Sequence, residues 1–236
     1  MDHFPIQILI GRPASGKSEI IDYLLHADPV ERLRRFRVGK PDVLDDFPLL
    51  WAWFEEDHIL SQVLGKPRLH TDEQGYFLHT YLWHLLVQRL DLEYHKRLRD
   101  DPQYHNHSTA ILEFSRGSEH GGYRAAFDNL SDVLLSRAAI VYVRVSFEES
   151  LRKNRRRFNP NRPDSILEHS LPDAKLERLY RLDDWDDLTR SDPDYVIIRS
   201  QRVPYAVFEN EDDVTTNKPL ELANRLDSII SRLWHR

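Results

Sequence analysis

The octapeptide Gly11-Arg12-Pro13-Ala14-Ser15-Gly16-Lys17-Ser18 constrains this chain more than any other stretch. It has the spacing G-x-x-x-x-G-K-S, the strand-like apolar run 6–10 precedes it, and a helix-patterned run over 19–25 follows. Glycine at 11 and 16 permits backbone conformations closed to residues with a Cβ, so successive N–H groups can converge on phosphate oxygens. The helix that begins there adds the positive end of its dipole. Lys17 can then reach the outer phosphates, and the Ser18 hydroxyl can ligate magnesium. Residues 11 to 18 are therefore read as a nucleoside-triphosphate site, for ATP or GTP with Mg2+.

Strand and helix patterns alternate along the rest of the chain. Ile20, Ile21, Leu24 and Leu25 mark one face of the first helix, and Asp28-Pro29 stops it. Residues 36–39 are a weak second strand candidate, and 109–114 a third. Residues 139–145 carry the β-branched run of a buried parallel strand, and 195–198 and 203–208 complete the set, the latter expected in the core. Helices are predicted within 49–64, within 73–98, and over 123–137, 146–157, 172–188 and 219–234. Ser146 to Glu149 forms a capping box that leads into the arginine-rich run 152–157, and 158–163 breaks that helix. This alternation predicts an α/β fold with a mainly parallel, doubly wound sheet. The aromatic block of about 40–108 is too long for a simple crossover between neighbouring parallel strands, so it reads as a helical insertion within one domain spanning 1–236.

In an open parallel sheet the ligand sits at the carboxyl ends of the strands, which directs attention to acids and arginines there. Glu113, near the end of the third strand and amid Ile111, Leu112 and Phe114, is a candidate to hold magnesium through water or to take a proton from an acceptor hydroxyl. Arg116 follows it. Asp42, Asp45 and Asp46 follow the second strand and can bind a substrate hydroxyl or serve as general base, with Asp45 and Asp46 favoured. Among Arg152, Arg155, Arg156 and Arg157, Arg152 and Arg156 are assigned to clamp the transferring phosphoryl group from a mobile flap. Trp51, with the surrounding aromatic cluster, is a candidate to stack a planar substrate. His105 and His107 are closely spaced but lack a cysteine or carboxylate alongside, which argues against a transition-metal site.

Composition narrows the class. In 236 residues, 40% are hydrophobic and 31% charged, as expected of a soluble protein with a sizeable core. Cysteine is absent, which excludes disulfides and thiol nucleophiles and is compatible with a reducing cytoplasm. A net charge of −6 argues against broad nucleic-acid binding. There is neither an apolar run of membrane-spanning length nor a visible secretory signal.

The glycine-rich loop after the first strand, Glu113-Phe114-Ser115-Arg116 after the third, and the arginine helix after the fourth resemble the small P-loop kinases. Glu113-x-x-Arg116 looks like a variant of the Glu-Arg-Ser of deoxynucleoside kinases, with two residues between the pair where the family has them adjacent. The resemblance implies a five-stranded sheet of order 2-3-1-4-5, a substrate-binding helical region between strands two and three, and an arginine-bearing lid over about 150–170. It also places Asn210 or its neighbours near the nucleotide base. The function so implied is ATP-dependent phosphoryl transfer to a small-molecule hydroxyl or phosphate, with Lys17, Glu113, Arg116, Arg152 and Arg156 in catalytic roles. The alternative is a nucleotide-binding regulator or slow NTPase that acts through a protein partner. A kinase of polynucleotide ends is disfavoured by the acidic balance.

Overall fold

The structure, a computed structural model, describes residues 2–157 and 171–236. The lid expected over about 150–170, and the helix break at 158–163, therefore fall largely outside the described residues. The chain order is β1 (Ile6–Gly11), α1 (Lys17–His26), α2 (Pro29–Phe36), β2 (Lys40–Asp45), α3 (Phe47–His58), α4 (Tyr81–Asp100), α5 (Tyr104–His107) and β3 (Ser108–Phe114). It continues with α6 (Gly122–Asp128), α7 (Asp132–Leu135), β4 (Ala138–Arg144), α8 (Phe147–Arg157), α9 (Asp173–Tyr180) and α10 (Trp185–Thr189). β5 (Tyr195–Ile198), β6 (Gln201–Glu209), α11 (Val214–Asn217) and α12 (Pro219–Trp234) close the chain.

The sheet runs β2-β3-β1-β4-β6-β5. β1, β3 and β4 are buried along essentially their whole length, because helices cover both faces. Alternation then sorts their side chains. Ile6, Ile8 and Ile10 join Leu112, Phe114 and Tyr142 in one core, against α4, α6 and α10, while Leu9, Ile111, Val141 and Val143 join a second core against α1 and α12.

The expected five-strand order is corrected to six. β6 occupies the fifth place and pairs parallel with β4, and β5 lies outside it, antiparallel. Only Arg199 and Ser200 join Ile198 to Gln201, a connection that allows a hairpin and is far too short for a parallel crossover. The second strand is also displaced. Residues 36–39 are not a strand: Phe36 ends α2, Arg37 caps it in the left-handed conformation, and β2 starts at Lys40. The helical segment between the second and third strands accordingly begins at Phe47, so that Asp42 and Asp45 lie within β2 and Asp46 just after it. Within that segment, 71–79 is not helical. Thr71 bridges Phe77 across a turn at Gly75, and α4 begins only at Tyr81. The helices expected over 123–137 and 172–188 are each broken into two.

Candidate active site

The loop between β1 and α1 owes its shape to its two glycines. Gly16 sits at φ +110°, and a Cβ there would lie 2.5 Å from Asn210 Nδ2 and 2.6 Å from Thr215 Oγ1. Gly11 sits at φ +155°, where a Cβ would lie 2.5 Å from the Val143 carbonyl oxygen. The loop is fastened from outside. Asn210 Nδ2 donates to the Ser15 carbonyl at 2.7 Å, Ser150 Oγ donates to the Pro13 carbonyl at 2.8 Å, and Arg12 turns away from the loop to pair with Asp183 at 3.0 Å. Arg12 also donates to the Val145 and Tyr180 carbonyls.

Lys17 is buried and folds back along the loop, donating to the Arg12 carbonyl at 3.0 Å and to Ser115 Oγ at 2.9 Å, with Glu113 Oε1 at 3.9 Å. Ser18 Oγ donates to the same Glu113 oxygen at 3.3 Å. Asp45 is paired in register with Glu113 across β2 and β3, and its Oδ1 accepts from the Phe47 N–H at 2.9 Å. Burial first, then the Glu113 and Asp46 charges, push Asp45 up to about 7. Burial also pushes Glu113 up, with Lys17 and Ser18 opposing and Asp46 adding. Burial likewise lowers Lys17, against the pull of Glu113. An ammonium and two carboxylates thus share one water-poor corner of the sheet.

From this corner a cleft of about 620 Å³ opens between the sheet and the helical segment after β2. Asp45, Asp46, Glu113, Arg116, Trp51 and the loop from Pro13 to Glu19 all line it. Arg116 does not pair with Glu113. Its guanidinium meets Asp46 at 2.7 Å and lies over the Trp83 ring, so the Glu113-x-x-Arg116 spacing separates a carboxylate facing the loop from an arginine facing the cleft wall. Trp51 donates its Nε1–H to Glu55 and presents its ring to the cleft.

The arginines of α8 separate by face. Arg152 and Arg156 both reach Asp213, at 3.2 and 3.0 Å, and Arg155 pairs with Asp173 at 2.6 Å. Asn154 and Arg157 are the α8 residues that line the cleft, and the Arg157 charge acts on both Lys17 and Glu113. Asp213 also holds the buried Lys153 at 2.7 Å, which pins α8 to α11 beneath the loop. Asn210 is fully buried and its Nδ2 braces the loop through the Ser15 carbonyl.

Several cleft residues carry no signal in the sequence. His120, Lys175, Arg178 and Tyr180 come from segments with no motif, and only the folding of α9 against the turn at 118–120 brings them to the cleft. Among the described residues, no group of three or more histidines and carboxylates converges as a metal cage. Among the described residues Ser15 Oγ is buried without a partner inside the loop, and Ser18 with Glu113 offers the hard oxygens magnesium takes. The site therefore fits a magnesium nucleotide.

No known protein family matches the sequence, and neither does any curated protein. Among solved structures, Kti12 from Chaetomium thermophilum in complex with ADP-AlF3 aligns over 98% of this chain and 98% of its own, at 14% identity and a TM-score of 0.51. This chain shares its fold with Kti12. A shikimate kinase from Acinetobacter baumannii in complex with shikimate aligns over 98% of this chain and 96% of its own, at 15% identity and a TM-score of 0.44. A sugar kinase from Janibacter sp. HTCC2649 aligns over 97% and 95%, at 13% identity and a TM-score of 0.44. In this fold Gly11 to Ser18 stand at the carboxyl end of β1, with β3 and β4 on either side. No helix among the described residues is long and apolar enough to cross a membrane.

Proposed function

We propose that this protein transfers the γ-phosphoryl group of ATP (or GTP) to a hydroxyl or phosphate of a small molecule bound in the cleft. The observation that carries this reading is the pair Asp45 and Glu113, held in register where the phosphate loop meets the cleft. Phosphoryl transfer needs little covalent help from the protein; it needs positioning and charge neutralisation. Gly11 to Ser18 bind the triphosphate through backbone N–H groups, and Lys17 leaves its self-contacts with the Gly11 and Arg12 carbonyls for phosphate oxygens. Ser18 and Glu113 would hold magnesium, which neutralises phosphate charge when bound.

Asp45 is the general base. Its raised pKa makes it a better proton acceptor near neutral pH than an ordinary carboxylate, and it lines the cleft from which an acceptor hydroxyl approaches. Asp46 and Arg116 form the fixed pair beside it. Arg157 supplies positive charge from α8, whereas Arg152 and Arg156, through Asp213, hold that helix in place.

The test is a screen of γ-phosphate transfer from labelled ATP to nucleosides, nucleotides, sugars and hydroxylated aromatic compounds. Label in one acceptor class is the expected result, and label only in free phosphate would favour a slow NTPase. Lys17→Ala should weaken ATP binding roughly 30-fold or more, the worth of a charge-assisted contact. Glu113→Gln should leave ATP binding largely intact and suppress transfer.

A further inference from the structure

One wall of the cleft has a composition that phosphoryl transfer itself does not call for. Aromatic rings run along one wall in unbroken contact: Phe54 on Phe77 at 6.3 Å between centroids, Phe77 on Trp83 at 4.6 Å, Trp83 stacked on His120 at 3.8 Å, and His120 edge-on to Tyr180 at 5.1 Å. All five line the cleft. At the middle ring of the wall, Arg116 lies over Trp83 and pairs with Asp46. The next ring, His120, is uncharged. Burial holds His120 down to about 3, and its Nδ1 accepts from the Gly117 N–H, so the ring is neutral with its proton on Nε2.

Positive charge lies at the Phe54 end, where Lys175 Nζ and the Phe54 ring both crowd Gly75. Lys175 is half-buried, its Nζ donates to the Gly75 carbonyl at 3.3 Å, and it lies over the Tyr76 ring. Among the described residues no carboxylate comes within ion-pair distance of it. Asp72 acts on it only from beyond that distance, and burial lowers its pKa. Arg178, over the same Tyr76 ring at 4.1 Å, is already paired with Glu119. A partly desolvated ammonium held by one carbonyl and one aromatic face, with no carboxylate in contact among the described residues, is an incomplete arrangement, and an anion in the cleft would complete it.

We propose that the acceptor is a planar ring compound bearing an anionic group. Its ring lies along the Phe77–Trp83–His120 wall, its anion meets Lys175, and the group to be phosphorylated points to Asp45. A saturated polyol would forfeit the stacking, and a neutral ring would leave Lys175 without a counter-charge. This substrate class rests on the phosphoryl-transfer reading given above.

The test is binding of the full chain, by tryptophan fluorescence and calorimetry, to a hydroxyaromatic carboxylate and a nucleoside monophosphate. Each is compared with its uncharged counterpart, and both with a saturated hydroxy acid. At least one ring-bearing anion should bind tenfold or more tightly than its neutral counterpart and than the saturated acid, and whichever arm responds identifies the anion as carboxylate or phosphate. Lys175→Gln should erase that tenfold preference, Lys175→Arg should keep most of it, and both should bind an ATP analogue as the parent does. Equal affinity for charged and neutral rings, a preference that survives Lys175→Gln, or no ring-bearing anion bound at all would overturn the proposal. The ATP-analogue titration separates the two readings. Loss of nucleotide binding with ring binding intact would count against phosphoryl transfer alone, and the reverse against the substrate class alone.

Discussion

Asp45 and Glu113 are cross-strand partners: the register of β2 on β3 sets the two carboxylates side by side at the ends of neighbouring parallel strands. Both are buried or nearly so, and Lys17 faces Glu113. One ammonium cannot neutralise two acids, so the folded protein favours a proton on this pair. The folded-state pKa of Asp45, about 7, lies above its ordinary 3.8. The stability this protonation gives is fully present below about pH 4 and is lost as pH rises through about 7. Asp45→Asn, which keeps an acceptor for the Phe47 N–H, should therefore stabilise the protein at pH 8 by roughly 1–3 kcal/mol. Thermal unfolding of parent and variant at pH 5 and pH 8 checks this, and a gain confined to pH 5 would contradict it.

Catalysis responds in the opposite sense. A base must be ionised to accept a proton, so kcat/KM should climb with pH through about 7, set by Asp45 in the free enzyme. Asp45→Asn should reduce transfer roughly 10²–10⁴-fold and remove that limb of the profile. A variant with full activity and an unchanged pH profile would move the base elsewhere.

Much of this arrangement was legible in the sequence, and what escaped had a physical reason. The turn from β1 into α1 is specified within the eight consecutive residues Gly11 to Ser18, so spacing alone places a strand-to-helix loop there. β1, β3 and β4 announce themselves because strands covered on both faces need apolar residues at every position. α12 does so through Leu222, Leu226, Ile229, Ile230 and Leu233, which keep helical spacing. β2 lies at the sheet edge, where only Leu44 is buried and Pro41 is tolerated, so its pattern resembles a polar loop. Which arginines of α8 face the cleft depends on Asp213, some 60 residues away along the chain, and no local pattern encodes that. The pairing of Arg116 with Asp46, and the arrival of Lys175 at the aromatic wall, are likewise products of tertiary convergence.

The loop's rigidity is set from beneath it. Asn210 Nδ2 bridges the Ser15 carbonyl and Thr215 Oγ1, and the space a Cβ at Gly16 would need is filled by those same two side chains. Gly16→Ala should therefore displace the loop and abolish nucleotide binding. Asn210→Ala removes a buried donor and should cost about 1–3 kcal/mol of stability, a fall in Tm of several degrees for a chain of this size. Its ATP affinity should fall as well, measured by calorimetry. An Asn210→Ala variant that is destabilised but binds nucleotide as tightly as the parent would limit Asn210 to folding.

Asp57 performs the corresponding task for the aromatic wall. It is fully buried in α3, and its two oxygens accept from the backbone N–H groups of Leu69, His70 and Thr71 and from Thr71 Oγ1, with Arg68 at 3.9 Å. That one carboxylate fixes the strand of chain leading into the turn that presents Tyr76 and Phe77 to the cleft. Burial alone would raise its pKa, but the converging donors outweigh burial and bring it down to about 2. The stability so gained is present above about pH 4 and is lost as pH falls through 3.8 towards 2. Asp57→Asn should cost roughly 1–3 kcal/mol at neutral pH, because an amide presents one acceptor oxygen where the carboxylate has two. Hydrogen exchange should quicken first in residues 65–79, ahead of the sheet, and acceptor affinity should fall with ATP affinity retained. Uniform loosening of the whole chain, or unchanged exchange in 65–79, would show that the turn holds its shape without Asp57.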